Sequence, residues 1–247
     1  MHDDWDYSFN RYGYRGEEFD PNAKFQIAAF GCSYTFGNAL KWEQTFAYRF
    51  KCLVAEHYGS AGDDVNLLNF AQGGASNDYI SRTLLTQVSS FRPDLVLGYF
   101  THKNRKEFVD GEHIYSLGPW SLDTDAPSEQ SVNYYTYYSE HIGFIDSVRS
   151  ILLAQYFLKA RQIPYVFGWA GIHNLANPRF VDNPICRSYA DLIDKTYFAD
   201  FTLNREDFAL DNHHPGPRAN EIFARRLFDF CRAADSLEPP IRATSPA

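Results

Sequence analysis

Phe25-Gln26-Ile27-Ala28-Ala29-Phe30-Gly31-Cys32-Ser33-Tyr34-Thr35-Phe36-Gly37 is the stretch on which the fold turns. A short, mostly apolar run ends in a glycine, the pattern of a buried strand breaking into a turn. The pattern returns along the chain. Val65-Asn66-Leu67-Leu68-Asn69-Phe70 leads to Gln72-Gly73-Gly74, and Leu95-Val96-Leu97-Gly98-Tyr99-Phe100 follows Pro93-Asp94. Pro164 introduces Tyr165-Val166-Phe167-Gly168-Trp169, and Phe198-Ala199-Asp200-Phe201 reads as a short fifth strand at an edge. Between them, helical periodicity predicts helices over residues 41–58, closed by Gly59, and over 76–90. A third spans 139–162, with Ile142, Ile145, Val148 and Leu152 on one face. The last spans 217–233 and turns Ala219, Phe223, Leu227 and Phe230 inward. Such alternation specifies a parallel sheet of about five strands between two helical layers, a three-layer α/β/α arrangement.

Composition sets outer bounds. A chain of 247 residues fits a single α/β domain, 1–247, able to bury a core without covalent staples. A net charge of −8, with no run of Lys or Arg, argues against nucleic acid and anionic membranes as partners. The first residues lack a basic segment followed by an apolar one, so a cytoplasmic location is expected. Cys32, Cys52, Cys186 and Cys231 are scattered, without a Cys-x-x-Cys pair, and are expected to be reduced and mostly buried. Aromatic residues make up 17%, an excess that suits either a dense core or an amphipathic binding surface.

Three segments fall outside the strand–helix rhythm. Residues 1–23 read as an arm lying on the surface, and 237–247, rich in proline and small residues, as a loose tail. Residues 107–138 show no long helix and end in Asn133-Tyr134-Tyr135-Thr136-Tyr137-Tyr138. So many aromatics predict a folded insertion over the strand ends, either a lid on the ligand or a structural cover.

Ligands of open parallel sheets bind at the carboxyl ends of the strands, which names the loops to search. Ser33 stands at the first strand's end, where flanking glycines let its own amide approach a developing oxyanion. Gly73-Gly74 can turn another N–H toward the same point. Asp211-Asn212-His213-His214-Pro215-Gly216-Pro217 lies just before the last helix, with carboxylate and imidazole three residues apart on a proline-stiffened loop. Serine needs a base to become a nucleophile, and the base works best with a carboxylate fixing its tautomer. The bland reading of the Asp-x-x-His pair is a helix cap beside a surface histidine.

Gly31-Cys32-Ser33-Tyr34-Thr35 resembles the first block of the SGNH/GDSL hydrolases, Asn69 to Ala75 their second, and Asp211 to Pro215 their Asp-x-x-His-Pro block. The resemblance implies Ser33 as nucleophile, His214 as base, Asp211 as its carboxylate and Gly74 in the oxyanion hole beside the amide of Ser33. Two departures stand out. Cys32 replaces the acid beside the serine, and the third block, Gly-x-Asn-Asp in the family, is missing after Gly98. Asn104 and Asn77 are the asparagines within reach of that place. Thr101, His102 and Arg105 could also face the site and contact substrate, as could Tyr34 and Tyr135.

Other chemistries are weaker. Cys32 as nucleophile would need an electropositive pocket. A metal held by Asp211, His213 and His214 with His102 or His113 lacks a ligand-spacing motif. A dinucleotide loop lacks Gly-x-Gly-x-x-Gly. The expectation is therefore a cofactor-independent, serine-dependent esterase acting on a small ester or an acylated carbohydrate. The alternatives are acyl transfer at the same site, or a binding protein that keeps the fold without catalysis.

Overall fold

The computed structural model describes residues 7–59, 64–170 and 175–237. Its strands are β1 Phe25–Gly31, β2 Val65–Asn69, β3 Leu95–Phe100, β4 Lys106–Asp110, β5 His113–Leu117, β6 Tyr165–Trp169 and β7 Phe198–Ala199. Five of them form one sheet in the order β2-β1-β3-β6-β7, with every neighbouring pair parallel. The chain moves outward from β1 to β2, then crosses back past β1 to β3. The strand order therefore reverses at β1, and loops leaving the carboxyl ends of β1 and β3 diverge around a crevice. Ser33 sits at that crevice.

Every residue of these five strands is buried, as expected for a sheet covered on both faces. Ile27 and Ala29 share a core with Phe46, Phe50, Phe223 and Leu227, whereas Ala28 and Phe30 share one with Ile80, Leu84, Phe144 and Ile151. After the single turn α1 Ser33–Phe36, α2 Phe46–His57 belongs to the first core and α3 Asn77–Phe91 to the second. The remaining helices are α4 Glu129–Tyr137, α5 Glu140–Ala160, α6 Pro178–Val181, α7 Pro184–Ala190 and α8 Pro217–Ala233. Thr45, Ser76 and Ser139 each accept a backbone N–H three residues on, which fixes where α2, α3 and α5 begin.

The sheet and its long helices match the reading of the sequence, and four details differ. The segment 41–58 opens with a 3₁₀ turn, Trp42–Gln44, and becomes α-helical only after the Thr45 cap. The edge strand stops at Ala199. Ile142 is exposed, because the first turn of α5 faces the insertion, beside Phe108 and Tyr138, and not the core. The insertion itself holds the antiparallel hairpin β4–β5, turned at Gly111, followed by α4.

The arm is the largest correction. Residues 7–23 do not merely lie on the surface, for Arg15 is only 2% exposed. Its guanidinium donates to the carbonyls of Phe36 at 2.8 Å, Gly37 at 2.6 Å and Leu40 at 2.6 Å. The ring of Tyr7 lies 4.3 Å from the guanidinium carbon. The segment just after Ser33 is thus fastened from the amino-terminal arm. Residues 1–6 and most of the predicted tail lie outside the described residues. Among the described residues, no helix is long and apolar enough to cross a membrane, and the four cysteines are free, with Cys52 exposed.

Candidate active site

Gly31 ends β1 because nothing larger fits. A Cβ there would stand 2.0 Å from the Thr35 hydroxyl oxygen, which folds back under the turn. Cys32 then takes an extended conformation, and Ser33 opens α1 as its first residue. First-turn amides of a helix have no partner within it, so the Ser33 N–H is not consumed by the turn. The Ser33 carbonyl accepts from Gly37 and Asn38, at 2.9 and 3.0 Å, and closes the turn. Asn69 adds a strut from β2, its amide donating to the Thr35 carbonyl at 2.9 Å. Ser33 Oγ lies 4.0 Å from Cys32 Sγ, the outer limit for a sulfur acceptor.

The histidine loop is zipped to this turn. Leu210 N donates to the Ala39 carbonyl at 3.4 Å, and Ala39 and Leu40 pack on Ala209. Asn220 accepts from Phe46 N at 3.0 Å and donates to the carbonyls of Pro215 and Gly216. Chain segments 174 residues apart are thereby held together. The imidazole of His214 meets the ring of Tyr34 edge-on, with centroids 5.8 Å apart. Tyr34 is the residue directly after Ser33.

Asp211 is occupied with the histidine and not with the helix. Its Oδ1 accepts the N–H groups of His213 and His214 at 2.9 and 3.0 Å, and its Oδ2 lies 2.5 Å from His214 Nδ1. Asp207 does the capping instead, accepting from Arg218 and Ala219 N at 2.9 and 2.8 Å. Nothing in the sequence flagged Asp207, which lies ten residues before the helix it caps. With Nδ1 engaged, Nε2 is the nitrogen of His214 left for chemistry.

Partial burial alone would raise the Asp211 carboxyl, but the N–H groups of His214 and His213, and then the imidazole, hold it below its ordinary value. A carboxyl depressed on folding stabilises the folded chain above the unfolded pKa, and that contribution disappears as pH falls through the folded value. Urea unfolding is therefore expected to show Asp211→Asn less stable than wild type near pH 7, with the gap closing below about pH 4. A gap independent of pH would show that the carboxylate is not held this way.

The residues around the ends of β2 and β3 separate into groups that face the crevice and groups that support it. Gly74 has φ +76, a left-handed conformation, and the Trp120 ring lies 3.6 Å from where its Cβ would be. Arg105 stacks on Trp120 at 4.9 Å and donates to the Ala75 carbonyl at 3.2 Å. Trp120 escaped the sequence reading because it sits in a single 3₁₀ turn, Pro119–Ser121, too short to show periodicity. His102 lies 6.4 Å from the Tyr34 ring. Crowding around its imidazole, and then Arg105, Lys103 and Arg205, push its pKa down to about 4, so it is neutral at pH 7.

Asn77, Thr101, Asn104 and Tyr135 take supporting positions. The Asn77 amide accepts from Thr101 N at 2.7 Å and donates to the Thr101 carbonyl and Ser147 Oγ. Both amide hydrogens are engaged, so Asn77 has none left for an oxyanion. Thr101 is wholly buried beneath the crevice. The Tyr135 hydroxyl donates to the Asn104 carbonyl at 2.7 Å and holds the turn before Arg105. His213 is exposed. Among the described residues no three His, Cys, Asp or Glu side chains converge as a metal site requires.

No protein-family model matches the chain, and no curated protein matches its sequence. Solved structures do match. An acetyl xylan esterase, Est2A, from the rumen bacterium Butyrivibrio proteoclasticus superposes with a TM-score of 0.52 at 13% identity, covering 91% of this chain and 68% of that one. The chain has the SGNH-hydrolase fold. TesA aligns with a TM-score of 0.49 at 13% identity, over 85% of this chain and 99% of its own. The SGNH-hydrolase esterase AlinE4 aligns with a TM-score of 0.46 at 17% identity, over 85% and 96%. In this chain the three segments noted in the sequence are the loops that follow β1 and β2 and the loop that precedes α8.

Proposed function

We propose that this protein is a serine-dependent ester hydrolase in which Ser33, His214 and Asp211 form the catalytic triad. The observation that supports it most is the 2.5 Å contact of Asp211 Oδ2 with His214 Nδ1, in a loop zipped to the turn that carries Ser33. Asp211 fixes the tautomer and steadies the imidazolium, and Nε2 takes the proton from Ser33 Oγ as it attacks the ester carbonyl. The amides of Ser33 and Gly74 receive the oxyanion. His214 then returns the proton to the leaving alcohol, and water repeats the sequence in reverse to release the acid.

The missing third-block asparagine leaves a donor to be supplied. Asn77 is fully engaged with Thr101 and Ser147. Asn104 is held through its backbone carbonyl, which leaves its side-chain amide as one candidate donor, and His102, neutral and beside Tyr34, is the other. A neutral imidazole donates a hydrogen bond without first giving up a proton.

An acylated carbohydrate is the substrate class we favour. Phe108, Tyr134, Tyr137 and Tyr138 form an aromatic groove flanked by the amide residues Gln130 and Asn133, a surface suited to sugar rings. Acetyl xylan is the substrate named for Est2A, a protein of the same fold. An alcohol in place of water would give acyl transfer by the same steps. Turnover of 4-nitrophenyl acetate by wild type and not by Ser33→Ala tests the reading. Persistent inactivity of wild type on short esters would instead favour a binding protein.

A further inference from the structure

Most cations near the crevice are paired. Lys103 meets Glu140 at 2.9 Å, Lys106 bridges Asp78 and Asp146, and Arg82 meets Glu107 at 2.7 Å. Arg105 and Arg205 differ: among the described residues neither has a carboxylate within ion-pair distance. Other arginines also lack ion pairs, but these two stand without acids beside the same residue, His102, among cations that are otherwise paired.

Their positions supply one. Arg205 donates through Nη2 to the Tyr34 hydroxyl at 3.3 Å, beside the nucleophile's turn. Arg105 lies on the opposite loop, stacked on the Trp120 that covers Gly74. Both lie near enough to His102 to lower its pKa, adding with Lys103 to the larger effect of desolvation. Each guanidinium has five N–H donors, and the contacts described use one from each. The remaining donors form two forks, the arrangement that matches a carboxylate, sulfate or phosphate.

We infer that the site selects esters carrying an anionic group close to the scissile bond, and that Arg105 and Arg205 are the residues that recognise it. The inference rests on the reading of Ser33 as nucleophile, and it narrows the substrate class within that reading. A general cationic rim would only speed encounter, whereas two forks fixed by Tyr34 and Trp120 also hold the bound anion in register.

The test compares matched esters that differ in one charge. On the acyl side the pair is monomethyl succinate and methyl butyrate, followed by acid release, since methoxide is too poor a leaving group for the free carboxylate to expel by itself. On the alcohol side it is 4-sulfophenyl acetate and phenyl acetate. For at least one pair, kcat/KM is expected to favour the anionic member by about tenfold or more, with the preference shrinking as salt rises from about 50 to 500 mM. Arg205→Gln, at an exposed position that folding does not depend on, is expected to reduce the preference several-fold. Arg105→Gln with Arg205→Gln is expected to abolish it, and the pair that responds shows which side of the ester carries the anion.

Equal or poorer turnover of both anionic esters by wild type would overturn the inference, as would a preference unchanged in the double variant. Neutral-ester turnover lost in Ser33→Ala would meanwhile uphold the hydrolase reading by itself. Should no ester turn over, that reading fails separately. Calorimetric titration of Ser33→Ala with monomethyl succinate and 4-sulfophenyl acetate then decides the anion claim. Saturable binding lost with both arginines supports it, and no binding, or binding indifferent to them, overturns it.

Discussion

Ser33→Ala is expected to lower kcat on 4-nitrophenyl acetate by roughly 10⁴- to 10⁶-fold, His214→Ala by a similar factor, and the double variant by no more than either alone. The reason lies in how the groups act. The Ser33 hydroxyl is nucleophilic only while a base removes its proton, and the imidazole has nothing to deprotonate once the hydroxyl is gone. Two residues that serve one step are lost once, so their effects do not multiply. Asp211→Asn, which leaves the loop's shape nearly intact, is expected to reduce kcat by about 10⁴-fold by removing the acceptor that fixes the tautomer. Additive losses in the Ser33→Ala/His214→Ala protein would show that the two residues act independently and would break the triad. All four rates are read from the same steady-state assay, with circular dichroism to confirm folding.

The second large effect is on stability. Arg15→Ala is expected to destabilise the protein by about 3–5 kcal/mol, because it strands buried carbonyls that a charged donor had satisfied. The carbonyls are those of Phe36, Gly37 and Leu40, in the segment between Ser33 and α2. They lie where α1 ends: the Gly37 carbonyl keeps the Leu40 N–H at 3.2 Å, while those of Phe36 and Leu40 have no backbone amide donor among the described residues. Rings of Tyr7 and Phe36 also lose the cation they face, at 4.3 and 5.2 Å. Arg15→Lys is expected to recover only part of the loss, since a single ammonium cannot reproduce the guanidinium fork. Activity should fall along with stability, because Leu210 of the histidine loop hangs on the Ala39 carbonyl in that same segment. A free energy of urea unfolding within about 0.5 kcal/mol of wild type would show that the arm does not support the site.

The parallel sheet was readable because strands covered on both faces are mostly apolar and short and break at turn residues, whereas the apolar runs 52–55 and 151–154 sit inside longer helical periods. The histidine loop was readable for a different reason: carboxylate and imidazole three apart, between prolines, make a local geometry that needs no distant partner. What stayed hidden depends on contacts across the sequence. Arg15 stands among polar residues and looks like a surface cation until the carbonyls of Phe36, Gly37 and Leu40 surround it. Asn77 looked like a free donor near Gly74, but its partners, Thr101 and Ser147, lie on other elements. Asp207 caps α8 from a place no local rule would search. The hairpin in the insertion carried one usable sign, Asp110-Gly111, which its weak alternation of apolar and polar residues obscured.

Reaction of the intact protein with a fluorophosphonate, followed by peptide mass spectrometry, most directly asks whether Ser33 is an activated nucleophile. The triad predicts one adduct per chain, carried on the Ser33 peptide, absent from Ser33→Ala and formed far more slowly in His214→Ala. An adduct on any other side chain, or equal labelling of the Ser33→Ala protein, would contradict it.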